Sequence, residues 1–287
     1  MALHLPRKVI PIKAIKLSLD DIRTIDQRLM IQIGEQAEFE ISRLIRPPNQ
    51  SEADFNAYKQ NAREQAFKIT FTVLGRNGQS LFGDDIAVFN SPLRPENIAN
   101  IYMTNVTAYQ AFSGNKPLNA FELTLDFAKP PLLDANNPVS APTPNFSSLT
   151  VQGDRESWIA SVCDAVLGVT QARKTKRTWM HQGFVYDAGL FMFALPFALY
   201  VCWKVSPFVS AQLAPAHSFL AAVAYVYVTL TTLFAYRILF GYTKWAFPTV
   251  ELTDNGDMAT KHRAILGTII LALVVNIVWE IRGLFLS

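Results

Sequence analysis

The sequence lacks the motifs on which most enzyme assignments rest. Its 287 residues contain no H-E-x-x-H, G-x-S-x-G, P-loop or G-x-G-x-x-G pattern. The histidines are His4, His181, His217 and His262, and none sits in metal-ligand spacing. Cysteine is almost absent as well. Cys163 falls in a segment with helical periodicity and Cys202 in an apolar run, so no disulfide framework is expected and both thiols read as small interior hydrophobes. The expectation is therefore a protein that is not an enzyme and carries no cofactor or metal. The stretch Met1 to Leu19 holds Pro6, Pro11 and four lysines or arginines, so it offers no apolar core for a signal peptide. The domain that follows is read as having no export signal of its own. Charge of one sign is also lacking. Residues 1–180 carry 20 basic and 18 acidic side chains, which leaves no chain-wide basic field for nucleic acid.

What the sequence does have is a sharp division of charge. Of its 49 acidic and basic residues, 38 lie before residue 181, and the last 107 residues hold only 11. A charge-rich part joined to a charge-poor part implies two solvents, water and lipid. We therefore expect a domain at 1–180 and a membrane domain at 181–287, with spans at about 184–205, 218–237 and 264–285. The first apolar run, Phe184 to Val205, ends before Ser206-Pro207. It reaches the ~20 residues a bilayer requires if Lys204 snorkels, and Pro196 predicts a kink near its middle. The second, Ser218 to Tyr236, is uncharged for 19 residues. The third, Ala264 to Trp279, continues through Glu280 and Arg282 to Leu286. It reads as a tilted span, with a re-entrant or interfacial helix as the alternative.

Lysine and arginine give the direction. Arg173, Lys174, Lys176 and Arg177 precede the first run, where they are expected to touch anionic headgroups at about 1 kcal/mol per charge. The loop from Ser206 to His217 has no lysine or arginine, and the loop after the second run is bracketed by Arg237, Lys244, Lys261 and Arg263. The positive-inside rule then places the amino terminus in the cytoplasm and the carboxy terminus outside. On that reading the sequons at Asn49, Asn105 and Asn145 go unused. Tyr242, Trp245 and Phe247 with Lys244 read as an interfacial belt, and Asp254 to Asp257 as a turn.

The first 180 residues read as α+β, an antiparallel sheet with helices on one face. Lys8 to Leu17 has strand character. Ser18 caps a helix that carries Ile22, Ile25, Leu29 and Ile33 and stops before Pro47-Pro48. A polar helix spans about Glu52 to Gln65. Phe67 to Leu74 alternates, Asn77-Gly78 signals a hairpin, and strands are expected at 80–89, 98–109, 120–127 and 147–151. Pro130 to Pro144 holds five prolines and reads as a loop. A last helix, Arg155 to about Lys174, presents Trp158, Val162, Val166 and Val169 on one face and is expected to feed into the first span.

Few residues stand out for chemistry. Asp84-Asp85 is an acidic pair whose side chains diverge unless Gly83 starts a turn there. Tyr102, Tyr109 and Phe112 can pack a core or stack on bases, and core packing is the simpler reading. In the second span, Ser218, Ala222, Tyr225, Thr229, Thr232 and Tyr236 recur at helical spacing. This small, hydroxylated face serves either helix–helix packing or an aqueous path in an oligomer. Asn276 and Thr268 supply similar polarity in the third span. Three spans cannot enclose a conduit, so any pore requires several chains.

In layout, the chain resembles the sensor-plus-spans effectors of bacterial antiphage defence. That resemblance implies a homo-oligomer in the bacterial inner membrane, gated as a pore or ion channel. The implied trigger is a nucleotide or oligonucleotide signal on the cytoplasmic domain, and the implied role is antiviral defence. A membrane-tethered binding or scaffold module is the alternative, and a membrane enzyme without a recognisable motif the third.

Overall fold

The computed structural model describes residues 5–130, 138–213, 217–255 and 259–286. Residues 131–137 of the expected proline-rich loop, and Gly256-Asp257 of the expected turn, lie outside them. The chain forms two compact units, each built from separated stretches. An α+β unit takes Met1–Ala128, Asn145–Lys176 and Thr249–Asp257, and a helical unit takes Lys129–Pro144, Arg177–Pro248 and Met258–Ser287.

The α+β unit holds a six-stranded sheet. Its strands are β1 (Arg7–Pro11), β3 (Thr70–Gly75), β4 (Ser80–Gly83), β5 (Ile98–Thr104), β6 (Ala120–Asp126) and β7 (Ser148–Gln152). They run in the order β1-β7-β6-β5-β3-β4, antiparallel throughout. The expected hairpin joins β3 to β4 around Gly78, whose φ of +82° suits glycine. Alternation decides which side chains are inside. Phe71, Val73, Ile101, Met103, Phe121, Leu123, Leu125, Leu149 and Val151 are fully buried, while Thr72, Tyr102, Thr124 and Thr150 on the opposite face stay half-exposed.

The inner face packs with two helices, α1 (Leu19–Ser42) and α4 (Glu156–Ala172), in one core. Ile22, Ile25, Leu29 and Ile33 of α1 and Trp158, Val162, Val166 and Val169 of α4 are buried as their spacing predicts. Each such side chain contributes roughly 1.5–3 kcal/mol by leaving water. Ser18 and Asp21 form a reciprocal capping box at the start of α1. The polar helix α2 (Glu52–Gln65) buries only Phe55 and Ala62.

Several expected elements differ. Lys8–Leu17 is two strands, because Ala14 takes a left-handed φ of 53° and turns the chain out of the sheet. The second piece, β2 (Ile15–Leu17), pairs elsewhere. Residues 80–89 end as β4 and continue as a 3₁₀ turn, Ile86–Asn90, whose start is capped by Asp85. The strand expected to reach Tyr109 ends at Thr104, and α3 (Val106–Ser113) follows, closed by Gly114 at φ +74°. Tyr109 and Phe112 are thus helical residues. The last helix does not feed into the first apolar run. It ends at Ala172, Arg173 caps it, and the chain then passes beside β2, with Lys16 N–H donating to Arg173 O at 3.1 Å and Lys174 bridging Ile15.

In the helical unit, Gly183–Gln212 is one helical run: α5 (Gly183–Gly189), a π-helical turn (Leu190–Ala194) and α6 (Leu195–Gln212). A π turn lies just before Pro196, where a kink is expected, and in it Leu195 N–H donates to Leu190 O. The expected stop at Ser206-Pro207 is overturned. Pro207 cannot donate to the Trp203 carbonyl, but the Ser206 hydroxyl does so at 2.7 Å and the helix continues. The next helix, α7 (Ser218–Ala246), outruns the expected Tyr236 and ends before Pro248. Gly183–Gln212 and Ser218–Ala246 are both long and apolar enough to cross a membrane. Little of either helix is buried within the chain. Phe191, Phe193, Leu199, Phe208, Tyr227 and Leu230 are all exposed, so this surface calls for an apolar cover. A third helix, α8 (Ala259–Leu286), follows.

Candidate functional site

The most informative element is one that periodicity does not reveal. Residues 249–255, between α7 and α8, are built into the α+β unit. Val250–Leu252 forms β8, which pairs in parallel with β2, Ile15 opposite Val250 and Leu17 opposite Leu252. Val250 and Leu252 are buried in the same core as α1 and the sheet. Thr253 N–H donates to Leu17 O at 2.8 Å. The next two side chains fasten the segment further. Asp254 Oδ2 accepts from Leu19 N–H at 2.7 Å, satisfying one of the free amides at the α1 N-terminus and placing negative charge where the helix dipole favours it. Asn255 grips Ile98 from both sides: Ile98 N–H donates to Oδ1 and Nδ2 donates to Ile98 O, each at 2.9 Å. Sequence reasoning saw only a turn here, because a three-residue Val-Glu-Leu alternation is shorter than any strand window.

The helical unit has its own reciprocal arrangement, in which residues 138–144 are held by buried polar groups. Lys244, expected at the headgroups, is instead 4% exposed and donates to the carbonyls of Val139 and Ala141 at 2.7 and 2.9 Å. Those two acceptors explain the burial, because an ammonium leaves water only when its donors are matched. His181 is buried as well. Its Nε2 lies 2.8 Å from Phe247 O and its Nδ1 2.8 Å from the Thr143 hydroxyl. A carbonyl only accepts, so Nε2 carries the proton and Nδ1 accepts from Thr143. Burial, the largest influence, holds the imidazole below its ordinary pKa, which keeps this neutral form at physiological pH. Elsewhere in the expected belt, Trp245 stacks on Tyr242, and the Tyr242 hydroxyl meets His262 Nδ1 at 2.8 Å.

The hydroxylated face of α7 meets the first apolar helix at three points. Thr229 Oγ1 lies 3.4 Å from Cys202 Sγ, which also lies 3.7 Å from Tyr225 O. Tyr236 donates to Tyr186 O at 3.1 Å and sits against Gly189, where a methyl group would strike its hydroxyl. Thr232 bonds back to Val228 O, while Ser218 and Ala222 are exposed. Asn276 is exposed on α8 and is not brought to this face.

The basic cluster is divided. Arg173 pairs with Asp21 at 2.9 Å, Arg177 lies 5.6 Å from the Phe247 ring, and Lys174 and Lys176 are exposed. Asp84 and Asp85 do occupy a turn. Asp84 pairs with Lys68 at 2.9 Å, which holds its carboxyl below the usual range, and Asp85 accepts from Ala87 N–H at 2.8 Å. Two sequons carry structural asparagines. Asn105 bonds Asn119 O and Phe121 N–H, and Asn145 bonds Ile12 O. No protein-family model, curated protein or solved structure matches this chain.

Proposed function

We propose that this chain is an oligomeric membrane effector in which a signal received by a cytoplasmic α+β unit reaches the membrane-spanning helices through residues 249–255. The observation that carries the proposal is the fastening of that segment to β2, α1 and β5. A change in the α+β unit that shifts β2 or the start of α1 pulls directly on the end of α7 and the beginning of α8. The chain passes between the two units at 128/129, 144/145, 176/177, 248/249 and 257/258. A passive anchor requires one such passage, so the tethered scaffold is the weaker reading.

The same segment supports the orientation. Arg237, Lys244, Lys261 and Arg263 bracket it in the sequence, and the positive-inside rule assigns such a loop to the cytoplasm. With α8 as a third, tilted span, the carboxy terminus lies outside. The exposed apolar surface of α6 and α7 is then covered by lipid and by neighbouring copies, and the α7 face serves first to pack the helices of one chain. The layout resemblance adds the expectation of an infection-derived nucleotide signal and a gated conduit in the inner membrane.

Native mass spectrometry of the full chain released from mild detergent tests the assembly. A closed symmetric oligomer, with or without retained ligand, is expected. A monomer that persists across detergents overturns the self-assembled effector.

A further inference from the structure

We propose that the cleft between α1 and the turn after β4 binds an organic cation, an amine, amidine or guanidinium on an apolar body, with Asp26 as its anchor and Asp85 as the second carboxylate. The cleft encloses about 380 Å³ and is lined by Asp26, Met30, Phe67, Lys68, Asp84 and Asp85, among others. Every other charged group that faces it is engaged. Lys68 pairs with Asp84 at 2.9 Å, Arg63 pairs with Glu38 at 2.6 Å, and Glu64 accepts from Gln60. Asp85 uses one oxygen to cap the Ile86–Asn90 turn.

Asp26 is the exception. Its residue is only 8% exposed, it lines the cleft, and among the described residues it makes no hydrogen bond or ion pair. A carboxylate largely withdrawn from water with no protein partner is costly, and a second carboxylate nearby adds to the cost. Burial first, and the Asp85 charge second, push its pKa up to about 6. The missing partner is a positive donor. Among the described residues no group of three histidine, cysteine, aspartate or glutamate side chains is arranged for a metal ion, so a donor carried on an organic ligand fits better than a bare cation. Met30, Phe67 and Ile86 supply apolar walls for its body. A phosphate-bearing ligand would meet two carboxylates and is disfavoured here.

This assignment goes beyond the effector reading, because binding is measured without ion flux and either can fail alone. The test titrates the full chain in mild detergent with benzamidine, using neutral benzamide as its counterpart. Benzamidine binds and benzamide does not. Asp26→Asn weakens binding by about tenfold or more, the loss expected for one charged hydrogen-bonded contact. Asp85→Asn, which keeps an oxygen for the Ala87 N–H, weakens it by a smaller factor. Affinity falls as the pH drops below about 6, where Asp26 takes up a proton. The proposal is overturned by equal affinity in Asp26→Asn, by equal binding of benzamide, by no benzamidine binding up to about 10 mM, or by equally strong competition from calcium.

Discussion

Replacing Asp26 with asparagine should stabilise the protein, and by an amount that depends on pH. The carboxyl has an ordinary pKa of 3.8 and a folded value of about 6, raised by burial and by Asp85. The folded chain therefore holds a proton between those limits that the unfolded chain has released. Stability contributed by this proton is fully present below pH 3.8 and is lost as the pH rises through about 6. At about 1.4 kcal/mol per unit, a displacement of about two units costs about 3 kcal/mol at neutral pH. Water in the open cleft reduces that ceiling to about 1–2 kcal/mol. Asparagine keeps the shape and removes the charge. Urea unfolding of the full chain in mild detergent, followed by circular dichroism from pH 4 to pH 7.5, measures the difference between variant and wild type. The difference should be near zero at the acid end and favour Asp26→Asn by about 1–2 kcal/mol at pH 7.5. A difference that does not change with pH, or a less stable variant at pH 7.5, refutes the picture of an unpartnered buried carboxylate. Stability sacrificed at one acidic side chain is also what a binding site is expected to show.

Asn255→Ala removes both bonds to Ile98 and leaves a buried amide without a partner, so the α+β unit should lose about 2–4 kcal/mol. Hydrogen exchange at β5 should report that loss even though residue 255 lies between two apolar helices. Gly189→Ala drives a methyl group into the Tyr236 hydroxyl and should cost about 1–3 kcal/mol, measured by thermal melting in detergent. Adding Tyr236→Phe should recover most of it, and a failure to recover places the defect elsewhere. Lys174→Gln with Lys176→Gln should weaken binding to anionic vesicles by about 1 kcal/mol per charge while leaving the fold intact. Arg173→Gln should instead lower stability through the loss of its pair with Asp21.

The legible part of this molecule is the part built from long, repeated local patterns. The α1 periodicity of Ile22, Ile25, Leu29 and Ile33, its Ser18 cap, the polar α2 helix and the α4 face around Trp158 all appear where their spacing places them. The strand alternation of β3 and β6 does so too. What could not be read depends on partners distant in the chain. β2 separates from β1 through one left-handed residue, Ala14, and its partner β8 lies more than two hundred residues away. Lys244 gave a surface signal because lysine normally prefers water, and only the carbonyls of Val139 and Ala141 reverse that preference. Pro207 reads as a helix stop until the Ser206 hydroxyl is seen to replace its missing donor. For the candidate cleft, Asp84-Asp85 was visible as a pair and Gly83 hinted at the turn. Asp26 was not visible, since nothing local marks a helical aspartate whose environment is set by a turn sixty residues on.

The central claim is that residues 249–255, docked on β2, α1 and β5, hold the spans in their resting arrangement. Potassium efflux from proteoliposomes tests it, comparing the wild-type chain with Asp254→Ala/Asn255→Ala at matched insertion. Loss of the contacts to Leu19 and Ile98 should release the segment and speed efflux several-fold over wild type. Equal efflux from the two proteins, with both fully inserted and assembled, would contradict it.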